Sequence, residues 1–207
     1  MKSKTRFWDR IANKYAATPI KDEASYQHKL KMTQEYLKPE MEVLEIGCGT
    51  GSTALKHGPF VRRILATDFS EKMVEIAQEK ANKSGVDNVE FRCEAIELIS
   101  DHQAQYDVIM AHSILHLLED VQHSLSHIYD RLKPGGYLIS STACIKDMMS
   151  FFRYIAPIGY RLRLIPYVNC FGTDDLTEAI KQQGFSIRYQ WQANAKAALF
   201  LIAQKPE

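Results

Sequence analysis

The residues best suited to chemistry stand at 43–51, which read Val-Leu-Glu-Ile-Gly-Cys-Gly-Thr-Gly. An apolar run leads there into a turn with glycine at every second position, and helical periodicity begins near Ser52. Glycine permits positive φ angles and carries no side chain, so a ligand can lie directly against such a backbone. The following helix would add free N–H groups and a positive dipole end, which stabilise an anionic group such as a carboxylate. The spacing predicts a ligand-binding turn; an ordinary strand-to-helix turn is the alternative.

A second candidate group for ligand binding is Asp68, which ends the next apolar run. At the carboxyl end of a strand its carboxylate can accept hydrogen bonds from both hydroxyls of a ribose. The dinucleotide fingerprint requires G-x-G-x-x-G, but Ser52 stands where the third glycine would fall, which disfavours NAD. A ribose with both hydroxyls free fits an adenosine-containing cofactor. As an alternative, Asp68 could cap the helix that follows it.

The elements that position these residues can be read from the hydrophobic pattern. Beyond Met41, short apolar runs alternate with segments of helical periodicity; the runs are VLEI, RILATD, NVEFRC, YDVIMA and GYLISST. Such alternation predicts parallel strands joined by right-handed helical crossovers. Two further runs, FSIRYQW and AALFLIAQ, are separated by a few residues and predict an antiparallel hairpin at the sheet edge. The fold class is therefore α/β, with a doubly wound seven-stranded sheet, a C-terminal hairpin and an N-terminal helical cover.

Several helix boundaries follow from capping and breaking residues. Two helices are predicted before residue 40, and Pro39 should end the second of them. Ser70 is suited to cap the helix after Asp68, and Gly85 lies just beyond the end of that helix. Another helix is predicted over residues 117–132, closed by a Lys-Pro-Gly-Gly turn at 133–136.

The composition narrows the classes of partner. With 26 Lys and Arg against 25 Asp and Glu, the net charge is +1, so no nucleic-acid partner is predicted. The 207 residues, 45% of them hydrophobic, suffice for one domain with a sizeable core. Cys48, Cys93, Cys144 and Cys170 are scattered, which predicts reduced thiols and no zinc site. No signal peptide or membrane span is recognisable, so a cytoplasmic location is expected.

Four motifs in order, spread over residues 40–142, carry a specific resemblance. They are VLEIGCGTG, then ATDFS with Met73, then CEAIE, and finally YDVIMAHSILHLL with LKPGGYL. In this order they resemble the class I S-adenosylmethionine-dependent methyltransferases, in the branch that includes the ubiquinone and menaquinone biosynthesis enzymes. The resemblance implies a Rossmann-like fold, S-adenosylmethionine as cofactor and S-adenosylhomocysteine as product.

The resemblance also implies roles for individual residues. Those expected at the cofactor are Glu45, Gly47, Cys48, Gly49, Gly51, Asp68, Phe69, Met73, Glu94, Ala95 and Ala111. The glycines would cradle the methionine part, with Glu45 near its ammonium group, and Asp68 would hold the ribose. Phe69 and Met73 would flank the adenine, although Met73 also fits a core position. Glu94 would lie at the adenine edge, where many members of the family carry Asp.

Two histidines lie where the resemblance expects the methyl acceptor. The backbone around Ala111 and His112 would face the sulfonium and the acceptor, and His116 follows four residues later. A neutral histidine can take the proton of a hydroxyl or carbon acid, so both are candidate general bases or orienting groups. An amine or thiol acceptor needs no base, and alignment alone would then dominate catalysis. Like His123 and His127, the pair could share a helix face, but neither pair encloses the Glu of H-E-x-x-H, and no metal is predicted.

The flanking segments are the remaining candidates for the acceptor pocket. Tyr15 closes an F-W-D-x-I-A-x-x-Y-A segment that resembles the N-terminal cover helix of the same branch; packing on the sheet is the alternative. Residues 148–171 are rich in aromatics and carry Arg153, Arg161 and Arg163. They fit a lid over an apolar or anionic acceptor, with Arg153 in the pocket. A lipid-contacting patch, a core-packing insertion and a dimer face are the other interpretations.

Together these inferences predict one methyltransferase domain over residues 1–207. Its parts are a helical cover (1–39), a cofactor-binding core (40–142), an insertion or lid (148–172) and a C-terminal helix with the hairpin (173–207). The predicted activity is methyl transfer to a small-molecule acceptor, apolar or aromatic. The alternatives are a non-catalytic protein that binds S-adenosylmethionine or its demethylated product, a methyltransferase acting on a macromolecule, and a nicotinamide-dependent oxidoreductase. Peripheral membrane contact and the oligomeric state are left open.

Overall fold

The structure is a computed structural model. It describes residues 2–95, 105–149, 151–162 and 164–207, without the side chains of residues 2–4 and Arg153. The chain forms two compact units, residues 1–100 and 101–207, which are described one after the other.

The first unit contains four helices and three strands among its described residues. These are α1 (Lys2–Ala17), α2 (Glu23–Gln34), β1 (Glu42–Ile46), α3 (Ser52–His57), β2 (Arg63–Asp68), α4 (Glu71–Ser84) and β3 (Val89–Cys93). Strand β2 pairs in parallel with β1 and with β3, so the three apolar runs form the strands that they predict. β1 and β2 are buried almost throughout, which agrees with their continuous apolar sequences.

The helix ends of this unit test the predicted boundaries. The Ser70 hydroxyl accepts a hydrogen bond from the Met73 N–H at 3.2 Å and caps α4, and Gly85 ends that helix with φ of 68°. Both predictions are confirmed. The prediction that α2 extends to Pro39 is wrong, because α2 ends at Gln34. The Glu35 N–H still bonds four residues back, but the N–H groups of Tyr36 and Leu37 bond three residues back, which turns the chain out of the α-helix before the proline.

The second unit contains the other four strands. Its described elements are β4 (Tyr106–His112), α5 (Val121–Arg131), β5 (Leu132–Thr142), α6 (Ile145–Met148), α7 (Phe152–Arg161), α8 (Thr173–Gln182), β6 (Ser186–Trp191) and β7 (Leu199–Gln204). Strands β4 and β5 are parallel, whereas β7 runs antiparallel to both β5 and β6. The C-terminal hairpin is therefore confirmed, with β6 at the edge. Strands and helices alternate along both units, and the seven strands confirm the predicted α/β fold class.

The prediction of one helix over residues 117–132 is only partly right. A short 3-10 turn covers Leu115–Leu117, and α5 begins at Val121 because Asp120 caps it through the His123 N–H at 2.9 Å. The predicted turn at 133–136 lies inside β5, at a register shift against β4. A Cβ atom on Gly136 would lie 2.9 Å and 3.0 Å from two backbone carbonyl oxygens, so this irregular segment requires glycine.

None of the helices in the described ranges is long and apolar enough to cross a bilayer.

Candidate cofactor site

The glycine-rich turn connects β1 to α3 in the first unit. Gly47, Gly49 and Gly51 have φ angles of 65°, 54° and 75°, in the left-handed region that favours glycine. A Cβ atom on Gly51 would lie 2.6 Å from the Phe91 ring and 2.8 Å from the Ala77 Cβ, so packing against β3 and α4 requires glycine there. A Cβ atom on Gly49 would meet only the Tyr15 ring among the described atoms, at 3.7 Å. Gly51 is therefore set by packing, whereas Gly49 borders a space next to Tyr15.

Asp68 ties this turn to the start of α4. Its Oδ2 accepts a hydrogen bond from the Gly49 N–H at 2.9 Å, and its Oδ1 accepts one from the Ser70 N–H at 2.9 Å. The side chain is nearly buried, and burial raises the pKa of Asp68 while these N–H groups oppose the rise. A carboxylate has about four acceptor sites, so the group retains acceptor capacity beyond its backbone hydrogen bonds. The capping of α4 falls to Ser70, so the alternative assigned to Asp68 does not hold.

Glu45 is a buried acid on β1, only 2% exposed. Its Oε2 has no hydrogen-bond partner among the described residues, while the Ala54 N–H bonds to the carboxyl group. Burial, and then the charge of Asp68, raises the pKa of Glu45 to about 8. A buried carboxyl of this kind becomes an ion when a cation is placed beside it. The ammonium group of an amino-acid ligand supplies such a cation, so these residues fit the methionine part of S-adenosylmethionine.

Tyr15 reaches the same turn from α1. Its ring lies against Gly49, as described above, and about half of the side chain is exposed. Burial raises the pKa of Tyr15, and the negative charges of Asp68 and Glu45 raise it further. The tyrosine therefore lies beside both acids, which is the position of a cover residue.

Asp9 and Lys80 also belong to the candidate cofactor site, although no sequence motif indicated them. The Asp9 carboxylate accepts a hydrogen bond from the Ser70 hydroxyl at 2.6 Å, which anchors α1 at the start of α4. Lys80 on α4 donates to the hydroxyls of Thr50 and Ser52, at 2.8 Å and 3.0 Å, and so places a cation next to the glycine turn. Asp9 lies within the F-W-D segment, but no local signal links it to Ser70.

The residues expected around the adenine differ in how deeply they are buried. Met73 is buried, as its core alternative predicts, whereas Phe69, Glu94 and Ala95 are half-buried. The Glu94 N–H donates to the Asp68 carbonyl at 3.0 Å, which brings the third motif next to the second. Cys48 is buried within the turn, and burial raises its pKa well above the ordinary value. The last two residues of CEAIE lie outside the described residues.

In the second unit, the carboxyl end of β4 carries Ala111 and His112. Ala111 is buried, and His112 is in register with Ser141 of β5. The next residue, Ser113, has a φ of 56°, and its N–H donates to the Ser141 carbonyl at 2.7 Å. A left-handed conformation is costly for serine and is often found at functional sites. Serine is not a strong marker of such a turn, so the sequence did not single out Ser113.

His116 lies in the 3-10 turn, so the hypothesis that it shares a helix face with His112 is wrong. The left-handed Ser113 separates the two histidines into different elements. The His116 Nδ1 is buried and has no hydrogen-bond partner among the described residues, and burial lowers its pKa to about 4. The His116 carbonyl accepts the N–H of Asn169 at 2.7 Å, so the insertion passes over this turn.

The remaining candidate residues of this unit are the two histidines of α5 and the arginines of the insertion. His123 and His127 do share a face of α5, with their Nε2 atoms 3.0 Å apart. No group of three or more metal-ligating side chains occurs in the described part of the chain. Arg153 belongs to α7, but its side chain lies outside the described structure, as does Arg163 altogether.

The fold and the glycine turn define a Rossmann-like cofactor-binding protein, and comparison with known proteins narrows this class. A family profile described as a methyltransferase domain matches residues 37–193. The YcgJ protein of Bacillus subtilis has a similar fold, with a TM-score of 0.72 at 17% identity over 87% of this chain and 99% of YcgJ. The chain belongs to the methyltransferase-domain family, within the class I S-adenosylmethionine-dependent group; the predicted family and cofactor are confirmed.

Two relatives are O-methyltransferases by name. The ubiquinone biosynthesis O-methyltransferase of Coxiella burnetii is 30% identical over 142 residues, which are 67% of this chain and 57% of that protein. The malonyl-[acyl-carrier protein] O-methyltransferase of Bacillus cytotoxicus is 41% identical over 105 residues, which are 49% of this chain and 35% of that protein. The chain thus covers less than two thirds of the length of either relative.

Proposed function

We propose that this protein transfers the methyl group of S-adenosylmethionine to an oxygen atom of a small apolar or aromatic acceptor. The observation that carries the proposal is the grouping of Glu45, Asp68 and Tyr15 around the turn at Gly49, because each group matches one part of this cofactor. The buried carboxyl of Glu45 suits the ammonium group, and the Asp68 carboxylate suits the ribose. The names of the two relatives support oxygen as the attacking atom.

S-adenosylmethionine, when bound, supplies an electrophilic methyl group on a sulfonium. The acceptor oxygen forms the new bond to the methyl carbon as the carbon–sulfur bond breaks and its electron pair stays on sulfur. A hydroxyl acceptor must also lose its proton. His112 and His116 are the proposed groups that receive this proton or hold the hydroxyl in line. A pKa of about 4 keeps His116 neutral near neutral pH, so its Nδ1 can accept a hydrogen bond from the acceptor.

The residues that flank these groups complete the proposal. Tyr15 covers the methionine part of the cofactor, and residues 148–171, with Arg153, line the acceptor side. The half-buried aromatic residues of that segment, Phe152, Tyr167 and Phe171, support an apolar or aromatic acceptor. We assign residues 1–207 to one domain, because the family profile over residues 37–193 runs through both compact units, and the free cysteines support a cytoplasmic location.

The first test is calorimetric titration with S-adenosylmethionine, S-adenosylhomocysteine and NAD. The wild type should bind the first two and not the third. Asp68→Ala should weaken binding of both adenosyl ligands by about tenfold or more, because it removes charge-assisted hydrogen bonds worth about 1.5–3 kcal/mol. Asp87→Ala, which changes an exposed aspartate, is the matched control and should bind as the wild type does. Failure of the wild type to bind either adenosyl ligand would refute the proposal.

A second experiment separates catalysis from binding alone. S-adenosylhomocysteine formation is followed with phenolic, carboxylic, amine and thiol acceptors, and His112→Ala and His116→Gln are compared with the wild type. Turnover with phenols or carboxylic acids supports oxygen methylation, and turnover restricted to amines or thiols contradicts it. Tight cofactor binding without turnover on any acceptor would favour the non-catalytic alternative.

A further inference from the structure

The helix α7 presents its large apolar side chains to solvent. Between 48% and 66% of each of the following residues is exposed: Phe151, Tyr154, Ile155, Ile158, Leu162 and Leu164. Four of them, at 151, 155, 158 and 162, follow helical spacing and form one continuous stripe. We call these six residues the α7 surface. An exposed contiguous apolar patch of this kind marks an interaction site.

The opposite side of α7 carries Phe152, Ala156 and Gly159, which follow helical spacing. Ala156 is buried, and a Cβ atom on Gly159 would lie only 3.0 Å from the Ile165 side chain. The helix therefore packs on this unit through the half-buried Phe152 together with alanine and glycine, and leaves both isoleucines outside. In a helix that contributes only to a hydrophobic core, the isoleucines would be among the buried residues. The exposed stripe is thus not needed to hold α7 in place.

The charge of this segment indicates which partner the stripe fits. Residues 148–171 contain three arginines and no Asp or Glu. Arg161, in the last turn of α7, is exposed beside the stripe. An anionic lipid surface complements both properties, because apolar side chains enter the boundary of the acyl region while arginines meet the phosphates. A second copy fits less well, since a two-fold contact between identical surfaces would bring arginines of like charge together.

We propose that the α7 surface binds anionic lipid membranes, with α7 lying in the plane of the interface. Tyr154 is suited to the headgroup level, where tyrosine is enriched, and Phe151 adds apolar area. The helix has 10 residues, so binding should be reversible rather than a permanent anchor. This inference goes beyond methyl transfer and does not depend on the identity of the acceptor.

The test is flotation of the full chain with vesicles of phosphatidylcholine, alone or mixed with phosphatidylglycerol. The wild type should float with the mixed vesicles only, and added salt should weaken the association. The double variant Ile155→Asn/Ile158→Asn should lose about tenfold or more of the partitioning, because two apolar side chains no longer enter the interface. Arg161→Gln should lose about fivefold. Phe60→Asn, which changes an exposed aromatic residue of the first unit, should behave as the wild type does.

Two measurements keep the outcomes distinct. Circular dichroism reports the folding of each variant, and its S-adenosylmethionine affinity reports the cofactor site. A variant that keeps both properties but no longer floats has lost lipid binding alone. The proposal is overturned if the wild type does not float with anionic vesicles, or if the double variant floats equally well. It is also overturned if neither the wild type nor the double variant binds lipid and sedimentation velocity shows that only the wild type self-associates.

Discussion

The hydroxyl of Ser70 donates a hydrogen bond of 2.6 Å to the carboxylate of Asp9. The same hydroxyl accepts the Met73 N–H and caps α4, and the Ser70 N–H donates to Asp68. One serine thus joins the N-terminal helix, the start of α4 and the acid assigned to the ribose. The position of α1, and with it Tyr15, depends on this junction.

Asp9→Ala is expected to loosen α1. It should lower the free energy of unfolding by about 1 kcal/mol, as the loss of one hydrogen-bonded carboxylate does, and speed amide hydrogen exchange in α1. S-adenosylmethionine affinity should fall as well. Asp22→Ala, which removes the capping carboxylate of α2, is the matched control. It should cause a similar loss of stability without faster exchange in α1. Unchanged exchange in α1 of Asp9→Ala would contradict the role of this junction.

Glu45→Gln is expected to stabilise the free protein while weakening cofactor binding. The folded-state pKa of Glu45 is raised from 4.5 to about 8, so its contribution to stability is present below about pH 4.5 and is lost as the pH rises through 8. At neutral pH the variant should gain at most about 3 kcal/mol, from about 1.4 kcal/mol per pKa unit. Denaturation of both proteins at acidic and slightly alkaline pH is the measurement. A gain that does not grow with pH would contradict the raised pKa.

Binding of S-adenosylmethionine should release protons from Glu45. The ammonium group favours the ionised carboxylate, so below about pH 8 the bound protein holds fewer protons than the free one. The apparent affinity should therefore rise with pH towards about 8 and fall above it, because the amino group of the ligand then loses its proton. Calorimetry in two buffers of different ionisation enthalpy measures the release directly. Glu45→Gln removes the titrating carboxyl, so the heat of cofactor binding to this variant should depend less on the buffer. If the heat depends equally on the buffer in the variant and the wild type, the released protons come from another group.

Gly51→Ala and Gly49→Ala should have different consequences. At Gly51 the added methyl overlaps the Phe91 ring and Ala77, so we expect a stability loss of about 2–5 kcal/mol from overpacking and left-handed strain together. At Gly49 only the strain applies, about 1–2 kcal/mol, but the methyl group points to the space beside Tyr15. Denaturant unfolding paired with calorimetry distinguishes them. A Gly49→Ala protein that binds S-adenosylmethionine normally would argue against this cradle.

His57 should contribute to acid sensitivity. It is fully buried, neither ring nitrogen has a hydrogen-bond partner among the described residues, and burial lowers its pKa from 6.5 to about 4. Its contribution to stability is therefore present above about pH 6.5 and is lost as the pH falls towards 4, by about 1.4 kcal/mol per pH unit. His57→Leu should flatten this dependence in unfolding experiments between these pH values. The exposed His123→Leu should leave the dependence unchanged; identical profiles for His57→Leu and the wild type would refute the assignment.

Local patterns in the sequence determined most of the architecture. Alternating strands and helices, the Ser70 cap, the Gly85 stop and the C-terminal hairpin each depend on residues close together in the chain, so their physics can be read without the fold. The boundaries at Pro39 and at residue 117 were wrong because a tighter turn ended or replaced the α-helix there. The glycine turn and Asp68 were recognisable because glycine itself permits the positive φ angles and aspartate itself supplies the negative charge.

Only the tertiary structure decided the contacts between distant residues. The sequence shows an aspartate at 9 and a serine at 70, but their hydrogen bond exists because α1 packs on α4. It shows an apolar, basic segment at 148–171, but the direction of the α7 side chains depends on which face finds a packing partner. The raised pKa of Glu45 likewise arises from burial beside Asp68, 23 positions along the chain. Periodicity and residue type are local properties, whereas burial, pairing and orientation are properties of the folded chain.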